Sequence, residues 1–210
     1  MNNFRIVTKI LLIIGLIILT IKCVNSLESR NEDDMKLLAD SKVDFSSTQG
    51  DANWYYGYYD SLFIPADFKL LNQFIVGGSY GTGWYISNDY WTCITAEGAG
   101  PNSVITSYGK TNVDHWPVRR WASSVDGVLY ISGRLAKIQT HTASDGVTGY
   151  IYLNDELKWS KNIGGQDVKG CTFSIKLSIK LNQTIDFVIS PNNTDWADYS
   201  LFTAVIKIEN

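Results

Sequence analysis

Reactive side chains are scarce in this sequence. Its 210 residues include two histidines, His115 and His141, and three cysteines. Glutamate is rare as well; beyond the N-terminal stretch only Glu97, Glu156 and Glu209 occur. Two separated histidines offer no paired ligands, so no zinc site is expected. No basic run is present, which argues against a nucleic-acid surface or an anionic membrane as partner. Helical periodicity is missing from residue 43 onward, so a helical domain is excluded. One long apolar run exists, Ile10 to Leu19, and it is shorter than the ~20 residues needed to span a bilayer.

That run follows Arg5 and Lys9 and precedes Val24-Asn25-Ser26, with small residues suited to signal-peptidase cleavage. Residues 1–26 therefore read as a signal peptide, and the chain is expected to be secreted, extracellular and free of the membrane after cleavage. Cleavage removes three basic residues and no acid, leaving fifteen Lys and Arg against twenty-one Asp and Glu, a net charge of −6. Cys23 leaves with the signal. The remaining pair, Cys93 and Cys171, is expected to form a disulfide in an oxidising compartment. Closing that loop of roughly 78 residues stabilises by about 4 kcal/mol in the chain-entropy view. Asn182-Gln183-Thr184 and Asn192-Asn193-Thr194 are sequons, so Asn182 and Asn192 are expected glycan acceptors of a glycoprotein.

What is plentiful is aromatic: seven Trp and twelve Tyr. Residues 27–42 are charged and lack glycine, a flexible leader with room for one helical turn. From Val43 to Asn210, short β-branched and aromatic runs alternate with Gly, Asn, Asp and Ser. The clearest strand is Cys171 to Leu181, in which Phe173, Ile175, Leu177, Ile179 and Leu181 share one face. Further strands are predicted at 127–132, 185–189 and 202–208. Tyr150–Leu153 and Glu156–Trp159 form a hairpin closed by Asn154-Asp155. The fold predicted for 43–210 is all-β, an antiparallel β-sandwich of jelly-roll type.

Thr48-Gln49-Gly50, Asn53-Trp54-Tyr55-Tyr56-Gly57-Tyr58-Tyr59, Val118-Arg119-Arg120-Trp121, Asp126-Gly127 and Ser132-Gly133 occur in that order. Asp145-Gly146-Val147, Ile185-Asp186-Phe187 and Asp198 complete the series. The pattern resembles a jelly-roll, carbohydrate-binding-module-like domain that recurs in secreted microbial proteins. The resemblance implies a non-catalytic extracellular module.

Sugars stack on flat rings and hydrogen-bond to phenol hydroxyls, so exposed Trp and Tyr are the expected contacts. Trp54, Tyr56 and Tyr58 are candidates from the aromatic strand; Trp84, Tyr85, Trp91 and Trp116 come from loop-like surroundings. Of Arg119 and Arg120, strand alternation exposes one and turns the other inward, where Asp186, Asp198 or a carbonyl must receive it. Arg119 is carried as the binding candidate for an acidic sugar. The expected partners are polysaccharide or glycoprotein glycans. The alternative is a structural or cell-surface interaction protein with no glycan ligand.

Catalytic readings are weaker. Gly77-Gly78-Ser79-Tyr80-Gly81 has nucleophile-elbow spacing but no helix pattern after it. Tyr108, His115 and Arg119 are the residue types of a polysaccharide lyase. No catalytic residue and no cofactor is assigned; a structural calcium is the one ion that Asp-rich turns at Asp145, Asp195 and Asp198 would suit.

Overall fold

A computed structural model describes residues 35–60, 67–106 and 108–209. The signal peptide expected over residues 1–26 lies outside the described residues. In chain order the strands are β1 (Met35–Asp40), β2 (Trp54–Asp60), β3 (Lys69–Leu70), β4 (Gln73–Gly78), β5 (Gly81–Tyr85), β6 (Cys93–Thr95) and β7 (Gly98–Gly100). They continue as β8 (His115–Ala122), β9 (Gly127–Lys137), β10 (Val147–Leu153), β11 (Glu156–Ile163), β12 (Cys171–Ile179), β13 (Thr184–Ser190) and β14 (Ser200–Glu209).

Two antiparallel sheets result. The larger runs β12-β9-β14-β7-β6-β5-β4, with β1 also paired to β14. The smaller runs β11-β10-β13-β8-β2-β3. From β8 onward the chain passes between the sheets at most connections, the crossing pattern of a jelly roll. Alternation does what the pattern demands: Phe173, Leu177 and Ile179 of β12 are buried, while Thr172, Ser174 and Ser178 are exposed. The β10–β11 hairpin turns at Asn154, whose φ of 53° is a left-handed conformation Asn tolerates. Gly133 is needed where strands crowd: a Cβ there would lie 2.0 Å from the Thr203 carbonyl oxygen.

The core between the sheets is unusually aromatic. Trp54, Tyr56, Trp84, Trp121, Phe173, Phe187 and Phe202 pack there with Leu129, Ile131, Leu135 and Ile151. Tyr56 and Trp84, from opposite sheets, stack at 6.1 Å with 17° between planes.

Two expectations are corrected. Residues 35–40, placed in the flexible leader, form β1 against β14, with Ala39 buried and Leu38 packed on the core. The signal is weak in sequence because the strand is short and its partner lies at the far end of the chain. Second, Cys93 and Cys171 are free thiols. Cys93 is on β6 and Cys171 on β12, and β9, β14 and β7 lie between them in the same sheet. Four strand spacings of about 4.8 Å put them far beyond the ~7 Å Cα separation a disulfide allows. Burial pushes the Cys93 thiol up to about 12, so it is an inert core group.

Candidate ligand-binding site

The arginine pair separates as alternation requires, with roles reversed. Arg119 points between the sheets and is 4% exposed. Its guanidinium donates to the carbonyls of Thr95 (2.6 Å), Ser41 (3.3 Å), Ala96 (3.3 Å) and Phe202 (3.4 Å). Burial lowers its pKa to about 10. Arg119 thus ties β8 to the opposite sheet and is closed to a sugar. Arg120 lies on the outer face, where Asp186 receives it at 2.7 and 2.8 Å. The Tyr59 hydroxyl donates to the same carboxylate at 2.5 Å, and Phe68 lies under the guanidinium at 3.9 Å.

Trp54, Tyr56, Trp84 and Tyr85 are likewise buried, against the exposure expected of them. Strand alternation sends Trp54 and Tyr56 inward; Trp84 packs on Phe74 and donates its indole N–H to the Ser46 carbonyl at 2.9 Å. Tyr85 donates to the Gly81 carbonyl within its own hairpin. Tyr58 is half-buried beside the core and contacts His115 at 4.7 Å. Trp116 is half-buried on the outer face of the smaller sheet, stacked on Tyr150 at 5.9 Å and 2°.

Among the candidates, Trp91 lines a cavity. This cavity, about 590 Å³, is bounded by Ser79, Tyr80, Trp91, Tyr108, Gln139, Thr140, His141, Asp195, Trp196 and Ala197. Its size falls in the ~300–1,000 Å³ range of small-ligand sites. Five connections contribute: the β4–β5 turn, and the β5–β6, β7–β8, β9–β10 and β13–β14 loops.

The rings form a connected wall. Tyr80 meets Trp91 edge-on at 5.9 Å, Trp91 meets Tyr108 at 6.3 Å and 87°, and Tyr108 meets Trp196 at 5.8 Å. His141 closes on Trp196 at 5.4 Å. Tyr80 is braced from behind by Tyr199, stacked at 4.5 Å. Burial holds the Tyr80 phenol well above its usual pKa, so its hydroxyl stays neutral. His141 Nδ1 accepts the Ala143 N–H at 3.0 Å, which leaves Nε2–H as the ring's donor.

Polar side chains fix the loops. Buried Asn102 accepts the Trp91 N–H at 3.0 Å and donates to the carbonyls of Thr111 (2.8 Å) and Val113 (2.6 Å). Asp195 accepts the Ser103 N–H at 3.1 Å. Asp145 receives Asn193 N–H, Asn193 Nδ2 and Thr194 Oγ1, joining the loops that carry His141 and Trp196. Beneath them Asp198 accepts from Lys137 Nζ and Ser144 Oγ, both at 2.8 Å. Desolvation pushes both partners toward neutrality: Asp198 rises to about 7 and Lys137 falls.

Tyr80, Tyr108, His141, Asp195 and Trp196 are not among the binding residues expected from sequence. Trp196 has the loop context credited to Trp84, between Asp195 and Asp198 in a turn. What the sequence lacks is the juxtaposition of five loops.

The catalytic groupings are not assembled. Ser79 sits in a turn that joins two strands, so no elbow exists there. Tyr108 lines the cavity and is largely exposed; His115 lies buried between Tyr58 and Tyr90, 3.2 Å from Thr92 Oγ1; Arg119 is in the core. Among the described residues no three His, Cys, Asp or Glu side chains gather to hold a metal ion. Asp145, Asp195 and Asp198 each serve the loop contacts just described. Of the sequons, Asn182 is exposed in the β12–β13 turn, whereas half-buried Asn192 accepts Thr148 Oγ1 at 2.7 Å.

Fold and cavity together define an antiparallel β-sandwich with an aromatic pocket built from its loops. No protein-family model matches the sequence, and no curated protein matches it. Among solved structures, the chain is similar to the CBM51-2 and INT domains of Clostridium perfringens ZmpB, in complex with GlcNAc. Identity there is 11% and the TM-score 0.34, over 64% of this chain and 24% of that one. A family 35 carbohydrate-binding module from Clostridium thermocellum matches at 7% identity and TM-score 0.32, over 73% of this chain and 90% of that one. The chain thus spans about a quarter of the first and most of the second.

Proposed function

We propose that this protein is a secreted, non-catalytic module that binds carbohydrate in the loop cavity. The carrying observation is the cavity wall itself: Trp91, Tyr108, Trp196 and Tyr80 beside Gln139, Thr140, His141 and Asp195. Rings give apolar faces for the C–H side of a pyranose, and the polar groups suit its hydroxyls. A glycan array and polysaccharide retention assay, run with Trp91→Ala and Trp196→Ala, tests it. Each variant is expected to lose on the order of tenfold in affinity while remaining folded. Retention undiminished in both, or no retention on any glycan, refutes the reading.

A further inference from the structure

Carbohydrate binding leaves the preferred sugar unspecified, and the cavity wall has chemistry that bears on it. Tyr80, Trp91, Tyr108 and Trp196 present rings, and Asp195 is the one carboxylate among the lining residues. Among the described residues no lysine or arginine lines the cavity. Ring faces attract cations, indole most strongly, and burial strengthens the contact. The chain itself makes such a contact: Lys110 Nζ stands 4.5 Å from the Trp91 ring centroid while donating to the Asn88 carbonyl. Asp195 is 5% exposed, so water screens its charge less than it would at the surface. Aromatic faces around one anion repel an acidic sugar and offer a neutral one stacking without any charge attraction. They complement an ammonium.

We propose, resting on the carbohydrate reading above, that the cavity selects saccharides bearing a free amine, hexosamine units that are not N-acetylated. Asp195 is the counter-ion, and the Trp and Tyr rings supply the cation-attracting wall. Acetylation removes the charge and adds bulk, so the N-acetylated counterpart loses both attractions.

The test is calorimetric titration of the whole protein with glucosamine, N-acetylglucosamine and glucose oligomers of equal length, with choline as a sugar-free cation. The amine oligomer is expected to bind on the order of tenfold more tightly than the other two. Asp195→Asn keeps an acceptor for the Ser103 N–H and is expected to abolish that preference. Lys110→Gln, at a half-buried position outside the cavity lining, removes a competing cation from Trp91 and is expected to raise affinity for the amine oligomer. It keeps the test valid should Asp195→Asn fail to fold. Equal affinity for amine and N-acetylated oligomers overturns the amine preference and leaves carbohydrate binding standing. So does a preference that survives Asp195→Asn, or a Lys110→Gln variant with unchanged or weaker amine binding. No binding of any saccharide, with or without choline binding, overturns both readings.

Discussion

Trp54 and Trp196 are the same side chain in opposite circumstances. Trp54 lies on β2, fully buried, 6.0 Å from Phe187 in the aromatic layer between the sheets. Trp196 lies in the β13–β14 loop, half-buried, with Tyr108 and His141 as neighbours at the cavity. Layer rings are held by strand register, which admits one arrangement. Loop rings are held by side-chain hydrogen bonds among connections far apart in sequence. The first set therefore determines whether the chain folds, and the second shapes the cavity the folded chain presents.

Substitution should separate the two sets, beginning with the core. Trp54→Ala is expected to cost about 3–5 kcal/mol, the range for deleting a large buried aromatic. Chemical denaturation of this variant beside Trp196→Ala checks it; equal losses would erase the distinction. Asp186→Ala is expected to be next, at roughly 3 kcal/mol, because it strands Arg120 without its carboxylate and Tyr59 without its acceptor. A loss below about 1 kcal/mol in the same assay would mean that water replaces the carboxylate on that face.

The pH dependence is smaller. Burial lowers the His115 pKa, with nearby Asp60 opposing. A depressed folded-state value means the unfolded chain binds the proton more readily. The contribution is therefore full above the unfolded value of 6.5 and is lost as pH falls through the folded one. It amounts to at most ~1.4 kcal/mol per pH unit. Asp198, raised to about 7, acts oppositely: its contribution is greatest in acid and lost as pH rises through that value. Melting of wild type and His115→Asn from pH 8 to 5 isolates the histidine, since Asp198 is common to both; parallel curves would remove its role. The smallest effect belongs to the cysteines. Reductant is expected to leave both the melting temperature and gel mobility unchanged, and a measurable shift in either would restore a disulfide.

Most of the sandwich is legible in the sequence because period-2 alternation is a local property. The strand expected from Cys171 runs as predicted to Ile179, with Leu181 exposed in the turn beyond it, and the 150–159 hairpin and the closing strand stand where the pattern puts them. β1 is not legible, since Met35–Asp40 becomes a strand only when β14 offers an edge. The same limit governs the site. Alternation alone assigns Trp54 and Tyr56 to one face, yet only the packed second sheet shows that this face is the core. Trp84 follows the Gly-rich turn of Gly81 and Gly83 and looks like loop, although it belongs to β5. Trp91 is recognisable from loop context, and Trp196 offers the same context. Neither sequence position reveals that Tyr108 stands between them. Arg119 and Arg120 divide as alternation requires, but the choice of Asp186 for the outer arginine depends on β8 and β13 lying side by side.

The cavity draws on residues from Ser79 to Ala197, so no short fragment of the chain contains it. An unfolded chain has no such pocket, and a ligand held there binds the native state alone. Occupancy at a hundred times the dissociation constant then adds about 2.7 kcal/mol to stability, whatever the ligand's chemistry. A thermal-shift screen of saccharide libraries can accordingly reveal the ligand without labels, reaction products or a candidate chosen in advance.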